Sequence, residues 1–402
     1  MWQSLEQKVD FKMKLLASLI LGLSLSVVRW EPSFFDLVLP IAILLGYRYF
    51  SWSPGHVLAL VLIGLFMLSQ LLSLFLALGR DFDEVVPWDR MVFYMLVTFY
   101  VSLISVVFMG LKEKVSIYYF LAGYFVGALL FSLLGIFAFL GMPGLESLLW
   151  GGSRLVGLFK DPNVFGAFLV PALLFSLAES SRRKPLWLLG FLLLLAALLL
   201  SLSRGAWVNF LVALVAWTFL RPKARCPLTL LMFSLFIATF LYATLLLGDT
   251  FSSRLGFQPY DRDRFSKQVE ALVASWEDPI GKGPGSAEYF LEYATHNSYV
   301  RLAFETGWVS LCFWLAFVGL SMAYALRCGL KQGSLLHEII FASLAGILAE
   351  SFVIDTLHWR HMWIMLGLAW SGYACALSDH PSRARGGPDA SSGAPEGLPG
   401  QG

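Results

Sequence analysis

Cysteine and charge are both scarce in this chain, and each scarcity closes off a class of protein. Only four cysteines occur among 402 residues. Cys226 and Cys328 fall in predicted cytoplasmic loops and Cys312 and Cys375 within apolar spans, so no disulfide framework is expected. Charged residues make up 14% of the chain against 58% hydrophobic, too lopsided for a soluble protein of this length. The formal net charge is only +2, which leaves no basic field to hold nucleic acid. An internal repeat of the kind that marks many transporters is also missing.

Long apolar runs are what the chain has in abundance, each of roughly 17–25 residues and so matched to a bilayer core. They predict an all-α integral membrane protein with about 12 transmembrane helices by that length rule. The spans lie near 13–28, 33–47, 56–77, 91–110, 116–140, 163–178, 186–202, 205–220, 228–247, 299–326, 336–356 and 361–377. Two of them, 33–47 and 205–220, are short for a full crossing. Lys8, Lys12 and Lys14 precede the first run, but Arg29-Trp30-Glu31-Pro32 follows it instead of a small-residue cleavage site, so it reads as an uncleaved span.

Lysine and arginine crowd one set of loops, above all Arg182-Arg183-Lys184 and Arg221-Pro222-Lys223-Ala224-Arg225. The positive-inside bias puts these loops and both termini in the cytoplasm. The opposite loops mix signs, with Asp81, Asp83, Glu84 and Asp89 beside Arg80 and Arg90. Residues 1–378 read as one polytopic domain, and 379–402, rich in Gly, Ser and Pro, as a disordered cytoplasmic tail. The one long outer loop spans 248–298. Within it Phe265, Val269, Leu272, Val273 and Trp276 recur at i, i+4, i+7, i+8 and i+11, the apolar stripe of a helix lying along the membrane surface.

Four polar segments could carry chemistry, and each has a plainer reading beside it. Ser203-Arg204-Gly205 breaks two apolar helices at the outer surface. Its arginine is either a snorkelling anchor or a fixed cation whose forked donors suit a lipid-linked phosphate. In Lys160-Asp161-Pro162-Asn163, Asp161 or Asn163 can cap the next helix, while that helix start with Lys160 and Arg154 would also favour an anion. Gly281-Lys282-Gly283-Pro284-Gly285 permits a sharp turn with exposed amides but lacks the Walker spacing of a nucleotide loop. The same segment continues to His296, just before Asn297, and that histidine is either a capping residue or a group placed to exchange a proton near neutral pH. In the helix that follows, Asn297, Arg301 and Glu305 share one face. Glu350, Asp355, His358, Arg360 and His361 form a last polar cluster, read as interfacial and paired with Arg360. Two histidines without a third well-spaced ligand do not make a zinc site.

Taken in order, Lys160-Asp161-Pro162-Asn163, Ser203-Arg204-Gly205-Ala206-Trp207, Arg264 ahead of Asp278-Pro279-Ile280-Gly281-Lys282-Gly283-Pro284-Gly285, and His296-Asn297-Ser298-Tyr299 with Glu305-Thr306-Gly307 resemble the O-antigen ligase and polymerase superfamily. These are bacterial inner-membrane glycosyltransferases of the GT-C type, and the similarity runs from about residue 150 to 320. The resemblance implies a metal-independent, cofactor-free, inverting transfer on the periplasmic face from a glycan on undecaprenyl pyrophosphate. Its acceptor is lipid A-core for a ligase, the first reading, or another lipid-linked repeat unit for a polymerase, the alternative. It implies that Arg204 and Arg264 hold the pyrophosphate and that His296 takes the acceptor's proton or orients the acceptor. Arg154, Lys160, Asn163, Lys282, Asn297, Arg301 and Glu305 complete the expected substrate-binding set. Lys282 stands where the family often has a small apolar residue. A transporter or lipid-linked-sugar flippase is the rival from another class, and it would need ionisable residues near the midplane, where Gln70 is one of few polar groups.

Overall fold

Inside lipid an apolar run can satisfy its backbone polar groups only by closing them into a helix or a barrel, and helices make up most of the described residues. The computed structural model describes residue 12 and residues 15–46, 50, 52–80, 86–111, 114–180, 185–256 and 259–371. The tail expected over 379–402 lies outside the described residues, as do Cys375, the acids Asp81, Asp83 and Glu84, and the inner-loop cations Arg182, Arg183 and Lys184.

In chain order the helices are α1 (Leu15–Ser24), α2 (Phe34–Gly46), α3 (Val57–Leu78), α4 (Trp88–Met109), α5 (Lys114–Phe139), α6 (Pro162–Ser180), α7 (Pro185–Leu200), α8 (Arg204–Phe219), α9 (Pro222–Leu255), α10 (Pro259–Glu277), α11 (Ala287–Phe290), α12 (Ser298–Gln332), α13 (Leu335–Glu350) and α14 (Arg360–Ala369). Leu149–Trp150 and Arg154–Leu155 form a minimal antiparallel pair, β1 and β2. Among the described residues, five helices are long and apolar enough to cross a membrane, those containing α3, α4, α5, α6 and α12. The other apolar helices are shorter. Cys226 and Cys328, expected in loops, lie within α9 and α12, because the helices run on past the apolar segments through Lys and Arg, which are good helix formers.

A large apolar core surrounds α6, in which Phe165 and every residue from there to Ala178 are buried. Phe75, Leu186, Phe219 and Leu245 face outward instead, as they would where the solvent is lipid. Because lipid tails are as apolar as leucine, helix association there leans on close packing and polar contacts. Gln70 of α3 is such a contact, donating to the hydroxyls of Thr306 at 3.1 Å and Ser310 at 2.9 Å. Its amide nitrogen is spent on gluing α3 to α12.

Long-range contacts sort the helix ends into two groups. At one end Val28 N donates to Leu158 O, Arg154 reaches Ser201 O and Arg264 reaches Val353 O. At the other, His56 meets Trp370 O, and Arg221 and Arg225 both pair with Glu338. The turns carrying all ten candidate site residues belong to the first end. Along it runs α10, the helix whose apolar stripe is legible in the sequence, and Phe265, Val269, Leu272, Val273 and Trp276 are all exposed.

The Gly-rich turn after α10 plugs a break in α12. Gly307 leaves the helix with φ 86°, and the turn binds the freed groups: Trp308 N donates to Pro279 O at 3.0 Å, Lys282 N to Phe304 O at 3.0 Å and Gly283 N to Glu305 O at 2.7 Å. The backbones approach so closely that a Cβ on Gly307 would lie 2.5 Å from Pro279 O, and one on Gly281 2.5 Å from Glu305 O. Gly281→Ala or Gly307→Ala is therefore expected to destabilise the protein by about 1–3 kcal/mol, the usual penalty for overpacking. Gly319→Ala, a helical site with no atom near the added carbon, leaves stability unchanged or slightly raised, and thermal melts in detergent compare the three.

Candidate functional site

Local chemistry places Arg204. Residues 201–203 make a tight turn between α7 and α8, and Ser203, in an extended conformation, caps α8 by accepting from Ala206 N at 3.3 Å. That sets Arg204 in the first turn of α8, where its guanidinium reaches across to α10. It donates to both oxygens of Asp261, at 2.7 and 2.9 Å, and to Gly256 O at 3.3 Å. One turn further along α10, Arg264 faces the same space. Its Nη1 donates to Val353 O at 3.4 Å, its plane lies near the Tyr260 ring, and its buried Nε has no partner.

Two further residues close the ring. Arg154, at the start of β2, is braced by Ser201 O at 3.0 Å and by Asn163 Oδ1 at 3.2 Å. Asn163 stands in the first turn of α6, where its N–H donates to Asp161 Oδ1 at 2.6 Å, the capping contact the sequence suggests. Together these side chains line a cavity of about 490 Å³, with Gly205, Val208, Phe265 and Glu350 among the other walls. Of the ten expected residues, the cavity gathers Arg154, Asn163, Arg204 and Arg264.

The remaining six stand at the same end but outside this cavity. His296 sits between α11 and α12 with φ 48°, its carbonyl held by Gln268 Nε2 at 3.2 Å. Burial, with the Arg264 charge added, pushes its imidazole down to about 4, so the ring is neutral at physiological pH. Asn297 caps α12, accepting from Tyr299 N and Val300 N. Arg301 is buried and bound on two sides, to Glu305 at 3.1 Å and Asp355 at 2.6 Å. Glu305 in turn accepts from Gly285 N at 2.8 Å and Ala287 N at 3.2 Å. The amides of the Gly-rich turn, expected to be exposed, are thus spent inside the protein, Gly285 N on the Glu305 carboxylate and Gly281 N, Lys282 N and Gly283 N on backbone carbonyls. Lys282 lies over the Phe290 ring at 5.0 Å, and Lys160 pairs with Glu31 at 2.5 Å.

The last polar cluster comes apart in three directions. Arg360 forms a forked pair with Asp36, at 2.8 and 2.7 Å, and His358 meets Thr98 Oγ1 at 3.0 Å. Burial holds the His358 ring down at about 4. Only Glu350 turns into the cavity. It is fully buried, Asn209 Nδ2 donates to its Oε2 at 2.8 Å, and its Oε1 has no partner. A Cβ on Gly205 would stand 2.9 Å from that Oε1, so the glycine of Ser203-Arg204-Gly205 gives the carboxylate its room. Glu350 was missed as a site residue, although an acid in the last turn of a helix opposes the macrodipole and was the available signal. Among the described residues, no group of three or more His, Cys, Asp or Glu could hold a metal ion.

Compared with models of known families and with curated proteins, the chain matches none, and the site's geometry carries the functional reading. Three guanidiniums converge on one cavity. Planar forks of this kind suit carboxylate or phosphate oxygens, and on Arg204 the anion bound is Asp261.

Two measurements separate structural from cavity-facing cations. Arg301→Ala leaves the buried Glu305 and the part-buried Asp355 without their cation and is expected to cost about 3–5 kcal/mol. Arg264→Ala, which loses one long hydrogen bond, is expected to melt within a few degrees of the wild type. By NMR of labelled histidine, His296 is expected to titrate near 4, and Arg264→Ala to raise that value because the repelling charge is gone.

Proposed function

We propose that this chain is a polytopic inner-membrane glycosyltransferase of the O-antigen ligase and polymerase type. It uses a glycan carried on undecaprenyl pyrophosphate and works on the periplasmic side. The observation that supports this most directly is the convergence of Arg154, Arg204 and Arg264 on one cavity of about 490 Å³, beside a helix whose apolar stripe faces outward. In this reading the bundle is GT-C-like with about twelve crossings by the span-length rule, and the positive-inside bias puts both termini in the cytoplasm.

The chemistry follows from the charges. The acceptor hydroxyl attacks the anomeric carbon from the face opposite the diphosphate, and the carbon–oxygen bond to the diphosphate breaks with inversion. Negative charge builds on the leaving group, where preorganised arginines in a site of low dielectric lower the barrier without reorganising. Arg204 and Arg264 do this once the diphosphate replaces Asp261 as Arg204's partner. Arg154 and Asn163 bind the donor from the α6 side. His296, neutral at working pH, orients the acceptor.

The ligase reading makes lipid A-core the acceptor, and the polymerase reading a second lipid-linked repeat. Reconstitution with a lipid-linked oligosaccharide and each acceptor in turn tests both. Transfer to lipid A-core identifies a ligase, and lengthening of the lipid-linked glycan a polymerase. Arg204→Ala and Arg264→Ala are each expected to slow transfer by about 10²–10³-fold at normal abundance in the membrane. Full activity in both variants would sink the site assignment. Movement of the donor across the bilayer with no new glycosidic bond would support the flippase instead.

A further inference from the structure

A hydroxyl attacking an anomeric carbon needs somewhere to put its proton, a service worth about 10²–10⁴-fold in rate. His296 is poorly suited to it. The ring lies outside the cavity, its conjugate acid holds a proton only below about 4, and the neighbouring Arg264 opposes any added positive charge. The cavity lining holds two carboxylates, Asp261, which Arg204 binds, and Glu350.

We infer that Glu350 takes the proton from the attacking alcohol, with Asn209 holding the carboxylate in place and Gly205 making room for it. The inference rests on the glycosyltransferase reading of the same cavity. Its geometry is that of an oriented acceptor. One oxygen, Oε2, is pinned by the Asn209 amide at 2.8 Å, and the other, Oε1, is buried at the cavity with no partner. Asn209 lies one helical turn beyond Gly205, so α8 supplies both the clamp and the clearance. Satisfying only one oxygen of a buried carboxylate leaves a desolvated acceptor, which costs free energy unless a ligand completes it.

The charged and titratable groups that line the cavity with Glu350 come from three elements: Arg154 from β2, Arg204 from α8, and Tyr260, Asp261 and Arg264 from α10. Asp161, ahead of α6, adds a second negative charge nearby. The arginines are committed to the diphosphate in the proposed step, which leaves Glu350 for the alcohol. In that step the hydroxyl oxygen forms a bond to the anomeric carbon while its proton passes to Glu350 Oε1. The bond from that carbon to the diphosphate oxygen breaks, and its electron pair leaves with the lipid diphosphate. The products are the new glycoside, protonated Glu350 and the lipid diphosphate. The carboxyl then gives its proton to water as the products leave.

Glu350→Gln tests this, because the amide keeps the shape and can still accept from Asn209. Two quantities are needed in reconstituted full-length protein: affinity for undecaprenyl pyrophosphate and the rate of transfer as a function of pH. The expected result is wild-type lipid affinity, transfer slowed about 10²–10⁴-fold, and loss of the acid limb of the pH–rate profile. Glu350→Asp, which keeps an ionisable group at the wrong reach, is expected to slow transfer while retaining the limb, and it serves if the Gln variant does not fold. For either variant, a rate within about threefold of wild type overturns the inference, as does a loss of lipid affinity equal to the loss of rate. Absence of transfer by the wild type itself would instead overturn the glycosyltransferase reading.

Discussion

Arg301 is sealed inside the bundle, and a guanidinium there persists only because anions reach it from two directions. Desolvating a charge costs several kcal/mol even after relaxation, and the loss is recovered only with close, well-aligned partners. Glu305 and Asp355 supply them. Because Glu305 also accepts from Gly285 N and Ala287 N, the same charge pair fastens the Gly-rich turn. Because Asp355 belongs to the segment after α13, it fastens that segment to α12 as well. The consequence reaches the cavity: Val353 O, on this anchored segment, is the acceptor for Arg264, and Glu350 is the residue from which the segment departs.

That constraint sorts cations that look alike in the sequence. At one end of the bundle Lys160, Arg301 and Arg360 each pair with a carboxylate away from the cavity, and Lys282 lies against aromatic rings. Arg154, Arg204 and Arg264 face shared space. Arg204 keeps an internal anion, Asp261, but through an interface between α8 and α10 that a diphosphate could re-form with its own oxygens. The distinction rests on what encloses each charge, since all of these side chains belong to the same end of the bundle.

Local features were legible from the sequence and distant pairings were not. Apolar runs declare themselves because bilayer thickness sets their length, and the stripe of α10 because a helix repeats every 3.6 residues. The cap Asp161 was readable too, since a cap acts within two or three residues, but the cap of α12 is Asn297 and not the neighbouring His296. By contrast, Arg360 finds Asp36 across 324 residues, and Arg204 finds Asp261 across 57. No spacing rule announces such partners. The Gly-rich turn shows the same limit: its glycines signal a sharp turn with exposed amides, but those amides are bound inside the protein, Gly285 N by the Glu305 carboxylate and the others by backbone carbonyls. Glu350 was grouped with its sequence neighbours around Arg360, and the chain carried it to a different site.

A structure of the protein with undecaprenyl pyrophosphate bound tests the central claim most directly, because it locates the anion on which the functional reading depends. The expected result places phosphoryl oxygens within hydrogen-bond distance of both Arg204 and Arg264, with Asp261 moved off Arg204. A diphosphate seated instead beside Lys160 and Glu31, or at Arg221 and Arg225 on the opposite end, with Arg204 still paired to Asp261, would contradict it.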